Sequence, residues 1–234
     1  MIEAIIHNKI PSGLKNDEDC LTSTVWGLLK YRPMRSILYR FLSRAALYVN
    51  NKEKLGIRIS ESYFEKHQLE IIFWQSDPEF GQPDILIECG NLALVVEDKF
   101  NAPLSGDDQL RKYGDFLARS YPTHDRYIIY LTADWDLPAD VQAKGYEASL
   151  YWLSWYELHS VATGCEADLE PVAREMATDL VQYLEHLGFF YFQGFSSPQI
   201  PGLPTRLFWD DVIPIISNYE LQPMPRRYFW REEE

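Results

Sequence analysis

The sequence predicts an α/β protein: a mixed central sheet flanked by helices, followed by a helical and aromatic C-terminal extension. Three observations carry this reading. Two apolar, β-rich runs between Pro83 and Lys99 flank Gly90-Asn91, a two-residue hairpin signal. Helical and extended patterns follow one another as helix, three strands, helix, strand, strand, an order that suits layered α/β architecture. The most periodic segment, 166–187, then gives way to a Pro- and aromatic-rich tail. The expected division is a core over 1–160 and an extension over 161–234 packed on it.

Taken in order, Asn16-Asp17-Glu18-Asp19 precedes Leu21, Val25, Leu28 and Leu29 at helical spacing. Acids at a helix start complement the macrodipole, so those residues have a structural reason to be there. Pro33 interrupts, and a second helix is expected from Met34 to Val49, with Ile37, Leu38, Phe41, Ala45 and Tyr48 on one stripe. Leu69–Trp74 reads as a strand, broken by Ser76-Asp77-Pro78 and Gly81. After the hairpin, Leu104 to Ser120 reads as a helix with Ser105 near its cap and Asp107 and Asp108 in its first turn. Asp125–Thr132 and Tyr151–Trp155 are expected strands, and a short helix should open at Tyr156. From Glu166 to Leu187, Leu169, Val172, Ala173, Met176, Ala177, Leu180, Leu184 and Leu187 line one helical face, with Gly188 as a stop.

The hairpin carries chemistry. Counting outward from the turn pairs Cys89 with Leu92 and, five rungs further, Asp84 with Glu97. Directly opposite side chains sit about 4.5–5.5 Å apart at Cβ. Strand alternation places Asp84, Glu97 and Lys99 on one face and Ile85, Ile87, Leu94 and Val96 on the other. Two carboxylates so close repel unless a proton or a cation lies between them. Lys99 supplies a donor, and a divalent metal answers the geometry better, because hard cations take carboxylate oxygens. The plainer alternative is a solvated hairpin face. Asp98 should point the opposite way, an odd place for an acid unless it forms a salt bridge or leaves the strand end for solvent.

Composition sets further bounds. The 234 residues, 46% hydrophobic, suffice for one sizeable domain or a core with an appendage. No apolar stretch approaches the roughly 20 residues of a membrane span, and the N-terminus lacks a basic start followed by a long apolar run. Cys20, Cys89 and Cys165 are far apart and lack metal-ligand spacing, so buried reduced thiols in a cytoplasmic protein are expected. Five scattered histidines show no zinc spacing, and there is no phosphate-cradling Gly-rich loop or nucleophile-elbow serine.

A formal charge of −13 argues against generic nucleic-acid affinity. Its distribution softens that objection. Between Leu28 and Arg58 eight cations face one acid, a local +7 that leaves −20 elsewhere. Arg40 and Arg44, one helical turn apart, could meet a phosphate backbone, although an ordinary polar helix face explains them equally well. Arg226, Arg227 and Arg231 form a smaller basic group in the tail.

Pro83-Asp84, twelve intervening residues and then Glu97-Asp98-Lys99 resembles the signature of the PD-(D/E)xK nuclease superfamily, the restriction-endonuclease-like fold. Gln109 and Tyr113, four apart on one helical face, resemble a further motif of its exonuclease-like and helicase-associated branches. The resemblance runs from about Asp17 to Trp155 and is firmest over 80–132. It implies that Asp84 and Glu97 ligate one or two Mg²⁺ ions, helped by the Asp98 backbone carbonyl, with Mn²⁺ able to substitute. It implies that Lys99 orients or activates the attacking water, and that Glu18 is the acid many members carry on the first core helix. Gln109 and Tyr113 would support this set.

The expected function is therefore Mg²⁺-dependent phosphodiester hydrolysis, on DNA rather than RNA, with bacterial defence or mobile-element processing as a setting familiar in the family. The expected partner is nucleic acid, with a homodimer or a protein partner also compatible. A non-catalytic nuclease-fold subunit acting through a protein partner is the alternative, and a phosphodiesterase acting on RNA or a nucleotide signal is a third reading.

Overall fold

The computed structural model describes residues 18–50, 52–100, 108–138 and 149–190. Helix α1 (Glu18–Leu29) is followed by a 3-10 turn at Arg32–Met34 and by α2 (Arg35–Ser43). Next come strand β1 (Ala46–Leu47), the short helix α3 (Glu61–Lys66), β2 (Leu69–Phe73), β3 (Ile85–Cys89) and β4 (Leu92–Lys99). Then follow α4 (Gln109–Ser120), β5 (Asp125–Thr132), β6 (Leu150–Ser154), α5 (Trp155–Cys165) and α6 (Pro171–His186). The six strands form one mixed sheet in the order β1-β6-β5-β4-β3-β2. β4, β5 and β6 run parallel, while β1, β2 and β3 each pair antiparallel with a neighbour. This is the α/β, restriction-endonuclease-like arrangement expected, and no described helix is long and apolar enough to cross a membrane.

The hairpin forms in the expected register, Cys89 opposite Leu92 through Ile85 opposite Val96. Gly90 has φ +58° and Asn91 does not have a positive φ, the pattern of a type II′ turn with glycine first. Alternation then divides the two faces of the sheet. Ile85, Ile87, Leu92, Leu94 and Val96 join the larger apolar cluster with α1, α2, α5 and α6. Leu86, Ala93 and Val95 join a smaller one with Leu110, Tyr113, Phe116 and Leu117 of α4. β4 is thus covered on both faces, and all eight of its residues are buried.

Several elements differ from expectation. The second helix stops at Ser43, because Ala46 and Leu47 leave it to pair with Trp152 and Tyr151 at the sheet edge. Tyr48 consequently packs in the smaller cluster, on the other side of the sheet from Ile37, Leu38 and Phe41. The 166–187 pattern splits into a 3-10 turn at Glu166–Asp168 and α6, with Pro171 in the first turn, and Val172 is 59% exposed. α6 ends in a Schellman motif: Gly188 (φ +90°) donates to the Glu185 carbonyl and Phe189 to that of Leu184. Cys89 and Cys165 are buried free thiols, whereas Cys20 is only half-buried. The expected cap at Ser105, the Leu104–Asp107 start of the fourth helix, Asp17, and the tail with Arg226, Arg227 and Arg231 lie outside the described residues.

Candidate active site

The last rung of the hairpin leaves Asp84 and Glu97 at the next opposed position, just past β3 and within β4. Asp84 Oδ2 accepts the Asp98 backbone N–H at 2.8 Å. Glu97, only 2% exposed, accepts from Gln109 Nε2 at 2.6 Å and pairs with Lys99 Nζ at 2.9 Å, both through Oε1. Its second oxygen, Oε2, is buried with no hydrogen-bond partner among the described residues.

Electrostatics follow from this burial. Desolvation first, and then the neighbouring Asp84 charge, push the Glu97 carboxyl up to about 7, against the pull of Lys99. Burial also raises Asp84, opposed by its hydrogen bond from Asp98 and by the Lys99 charge. For Lys99 burial alone would favour the neutral amine, yet Glu97 and Glu18 outweigh it and lift the ammonium above its ordinary value. Lys99 is therefore a full cation between acids that would otherwise repel one another.

Its three donors are all used. Lys99 Nζ lies 2.9 Å from Glu97 Oε1, 2.8 Å from Glu18 Oε1 and 2.9 Å from the Asp98 carbonyl. Glu18, the first residue of α1, also accepts the Phe100 N–H through Oε2 at 3.0 Å. Gln109 and Tyr113, at the start of α4, share a hydrogen bond of 3.0 Å. The Tyr113 hydroxyl reaches the Gln82 carbonyl at 3.1 Å, while its ring packs with Leu110 and Leu117. Glu18, Asp84, Glu97, Lys99, Gln109 and Tyr113 are thus brought together from α1, the hairpin and α4.

Asp98 does not behave as expected. Among the described residues its side chain takes part in no salt bridge, and it does not reach solvent. It is fully buried on the α1 face, where Oδ2 accepts Thr22 Oγ1 and Trp26 Nε1, each at 2.9 Å. Solvent is out of reach because α1 lies across this end of β4. An aspartate on an apolar strand face must find donors, and Thr22, a hydroxyl one turn before Trp26 on the buried side of α1, was the available signal.

Arg40 and Arg44 are not part of this cluster. Arg40 donates to Cys165 Sγ at 3.0 Å and lies 3.9 Å from Glu61 and 3.8 Å from Asp168. Arg44 pairs with Glu157 at 2.5 Å and donates to Ser160 at 3.0 Å.

The donors at the strand ends suit a hard divalent cation: the Asp84 and Glu97 carboxylates, with the uncompensated Glu97 Oε2 among them, and the Asp98 carbonyl. Among the described residues no group of three or more His, Cys, Asp and Glu side chains is placed to hold a metal. Two carboxylates are nonetheless a usual protein contribution to an ion that keeps waters and takes substrate oxygens.

Residues 75–185 match the family model of the PD-(D/E)XK nuclease superfamily. Together with the mixed sheet and the aligned strand-end acids, this match supports the resemblance to that superfamily, which points to a nuclease-type hydrolase. No curated protein and no solved structure matches the chain.

Proposed function

We propose that the chain is a metal-dependent nuclease that hydrolyses phosphodiester bonds, DNA in preference to RNA. The observation that carries this reading is the juxtaposition of Lys99 Nζ, 2.9 Å from Glu97, with the strand-end pair Asp84 and Glu97, the latter keeping a buried oxygen with no partner among the described residues. In this reading Asp84 and Glu97, with the Asp98 carbonyl, hold Mg²⁺ or Mn²⁺. When bound, the ion would neutralise phosphate charge and make water acidic enough to supply a nucleophile. Lys99 orients that water and faces the negative charge that develops on the phosphoryl oxygens. Glu18 holds the ammonium from the α1 side, and Gln109 and Tyr113 restrain the Glu97 carboxyl group.

The decisive measurement is cleavage of single- and double-stranded DNA and RNA with Mg²⁺, with Mn²⁺ and with chelator, identifying the product end groups. Cleavage should require the ion, and Glu97→Gln and Lys99→Ala should each slow it by about 100-fold or more. Activity that survives either substitution refutes the assignment.

One observation favours a second reading, a non-catalytic assembly subunit: Lys99, Arg40 and Arg44 all engage partners within the chain, on a protein of charge −13. A wild-type protein that cleaves no substrate in the panel but co-purifies with a protein partner would establish it.

A further inference from the structure

Asp98 occupies the middle of Glu97-Asp98-Lys99, and both of its main-chain polar groups bear on the cluster, while its side-chain Oδ1 is buried with no partner among the described residues. Its N–H holds Asp84 Oδ2 at 2.8 Å, and its carbonyl receives Lys99 Nζ at 2.9 Å. Its side chain turns the other way and takes hydrogen bonds from Thr22 and Trp26, one turn apart on α1 and themselves buried. An apolar residue here would extend the row of Leu92, Leu94 and Val96 with no desolvation cost. Apolar contact, however, leaves a helix free to slide or rotate by fractions of an ångström. Two directed hydrogen bonds to one oxygen fix both motions. What they fix is consequential, because one turn before Thr22 stands Glu18, whose two oxygens meet Lys99 Nζ and the Phe100 N–H.

Resting on the reading of the strand-end cluster as the reaction centre, we propose that Asp98 is a positioning residue. Its carboxyl group fastens α1 to β4 through Thr22 and Trp26, and so sets Glu18 against Lys99 and the Phe100 amide. Asp98 touches no substrate in this role; it acts through Glu18.

The test compares Asp98→Asn, which keeps an acceptor oxygen for both donors, with Asp98→Leu, which removes it. Turnover is measured well below the unfolding temperature and normalised to the folded fraction, and exchange of the Phe100 amide is read by NMR. Asp98→Asn should stay within about threefold of wild type, and Asp98→Leu should lose about tenfold in turnover with little change in KM. In a Glu18→Gln background, Asp98→Leu should add less than about twofold, because the residue it acts through is already disabled. Phe100 exchange should accelerate about tenfold in Asp98→Leu and Glu18→Gln but not in Asp98→Asn. Thr22→Val, which deletes one donor at nearly constant shape, carries the same readouts should Asp98→Leu not fold. The proposal is overturned if Asp98→Leu lowers stability alone, with turnover and Phe100 exchange unchanged, or if its loss multiplies with that of Glu18→Gln. Absence of cleavage by wild type would overturn the nuclease reading instead, and Phe100 exchange would still decide whether Asp98 places Glu18.

Discussion

Glu97 shows at the residue scale how burial shifts the protonation of an ordinary side chain. It lies on a strand covered on both faces, and its proton is held to about pH 7 instead of its ordinary 4.5. A raised folded-state value means the native protein binds a proton that the unfolded chain has already lost between those limits. The resulting stabilisation is full below about pH 4.5 and fades as pH rises through about 7, and Asp84 and Asp98, also raised by burial, act in the same direction. For Glu97 the swing is on the order of 3 kcal/mol. Urea unfolding in chelator should therefore show stability falling from pH 5 to pH 7.5, with Glu97→Gln flattening the slope; an unchanged slope would show that Glu97 does not bind the extra proton. Residues of this kind are legible in the sequence, because the alignment of Asp84, Glu97 and Lys99 follows from strand period and turn position alone. The partners of Asp98 are not, since Thr22 lies 76 residues away in sequence.

Elements are legible where local chemistry is decisive and illegible where pairing decides. The hairpin belongs to the first kind. Gly90 takes a left-handed conformation, and a Cβ there would run into the Tyr63 hydroxyl and approach the His67 ring at 2.9 Å. Tyr63 is itself engaged, receiving the Asn91 N–H at 2.7 Å and donating to the Asn91 side chain. Gly90→Ala should cost about 2 kcal/mol, from backbone strain and displacement of Tyr63, read as a lowered urea midpoint with an unchanged slope. A neutral result would mean that the turn can rearrange without disturbing α3. The end of α2 belongs to the second kind: Ala45 and Tyr48 continue a helical stripe, yet Ala46 and Leu47 gain backbone partners on β6 that a helix would have denied the sheet edge.

At the scale of the whole molecule, the larger apolar cluster among the described residues spans α1, α2, α5, α6 and one face of the sheet, so α6 shares its core with the elements that carry the candidate site. Leu180, on α6, is fully buried in that cluster. Leu180→Ala should cost about 2–5 kcal/mol in urea unfolding, and thermal scans followed by circular dichroism and by tryptophan fluorescence should shift together. Separate transitions would instead show that α6 unfolds on its own. Charge is also a property at this scale. The cationic stretch of the sequence does not present a free basic face throughout, because Arg40, Arg44 and Arg58 each meet an acid within the fold.

By itself, the sequence determined the sheet-and-helix class, the hairpin register, the identity of the clustered acids and lysine, and the family resemblance. All of these depend on residue order over short spans: turn chemistry, a period of two and a period of 3.6. Only the tertiary structure decided that β4 is buried on both faces, that the Asp98 side chain is fastened to α1, that Lys99 is saturated by Glu97, Glu18 and a carbonyl, and that Arg40 and Arg44 serve internal ion pairs. Those outcomes depend on which distant surfaces exclude water from one another, and a linear pattern does not specify that choice.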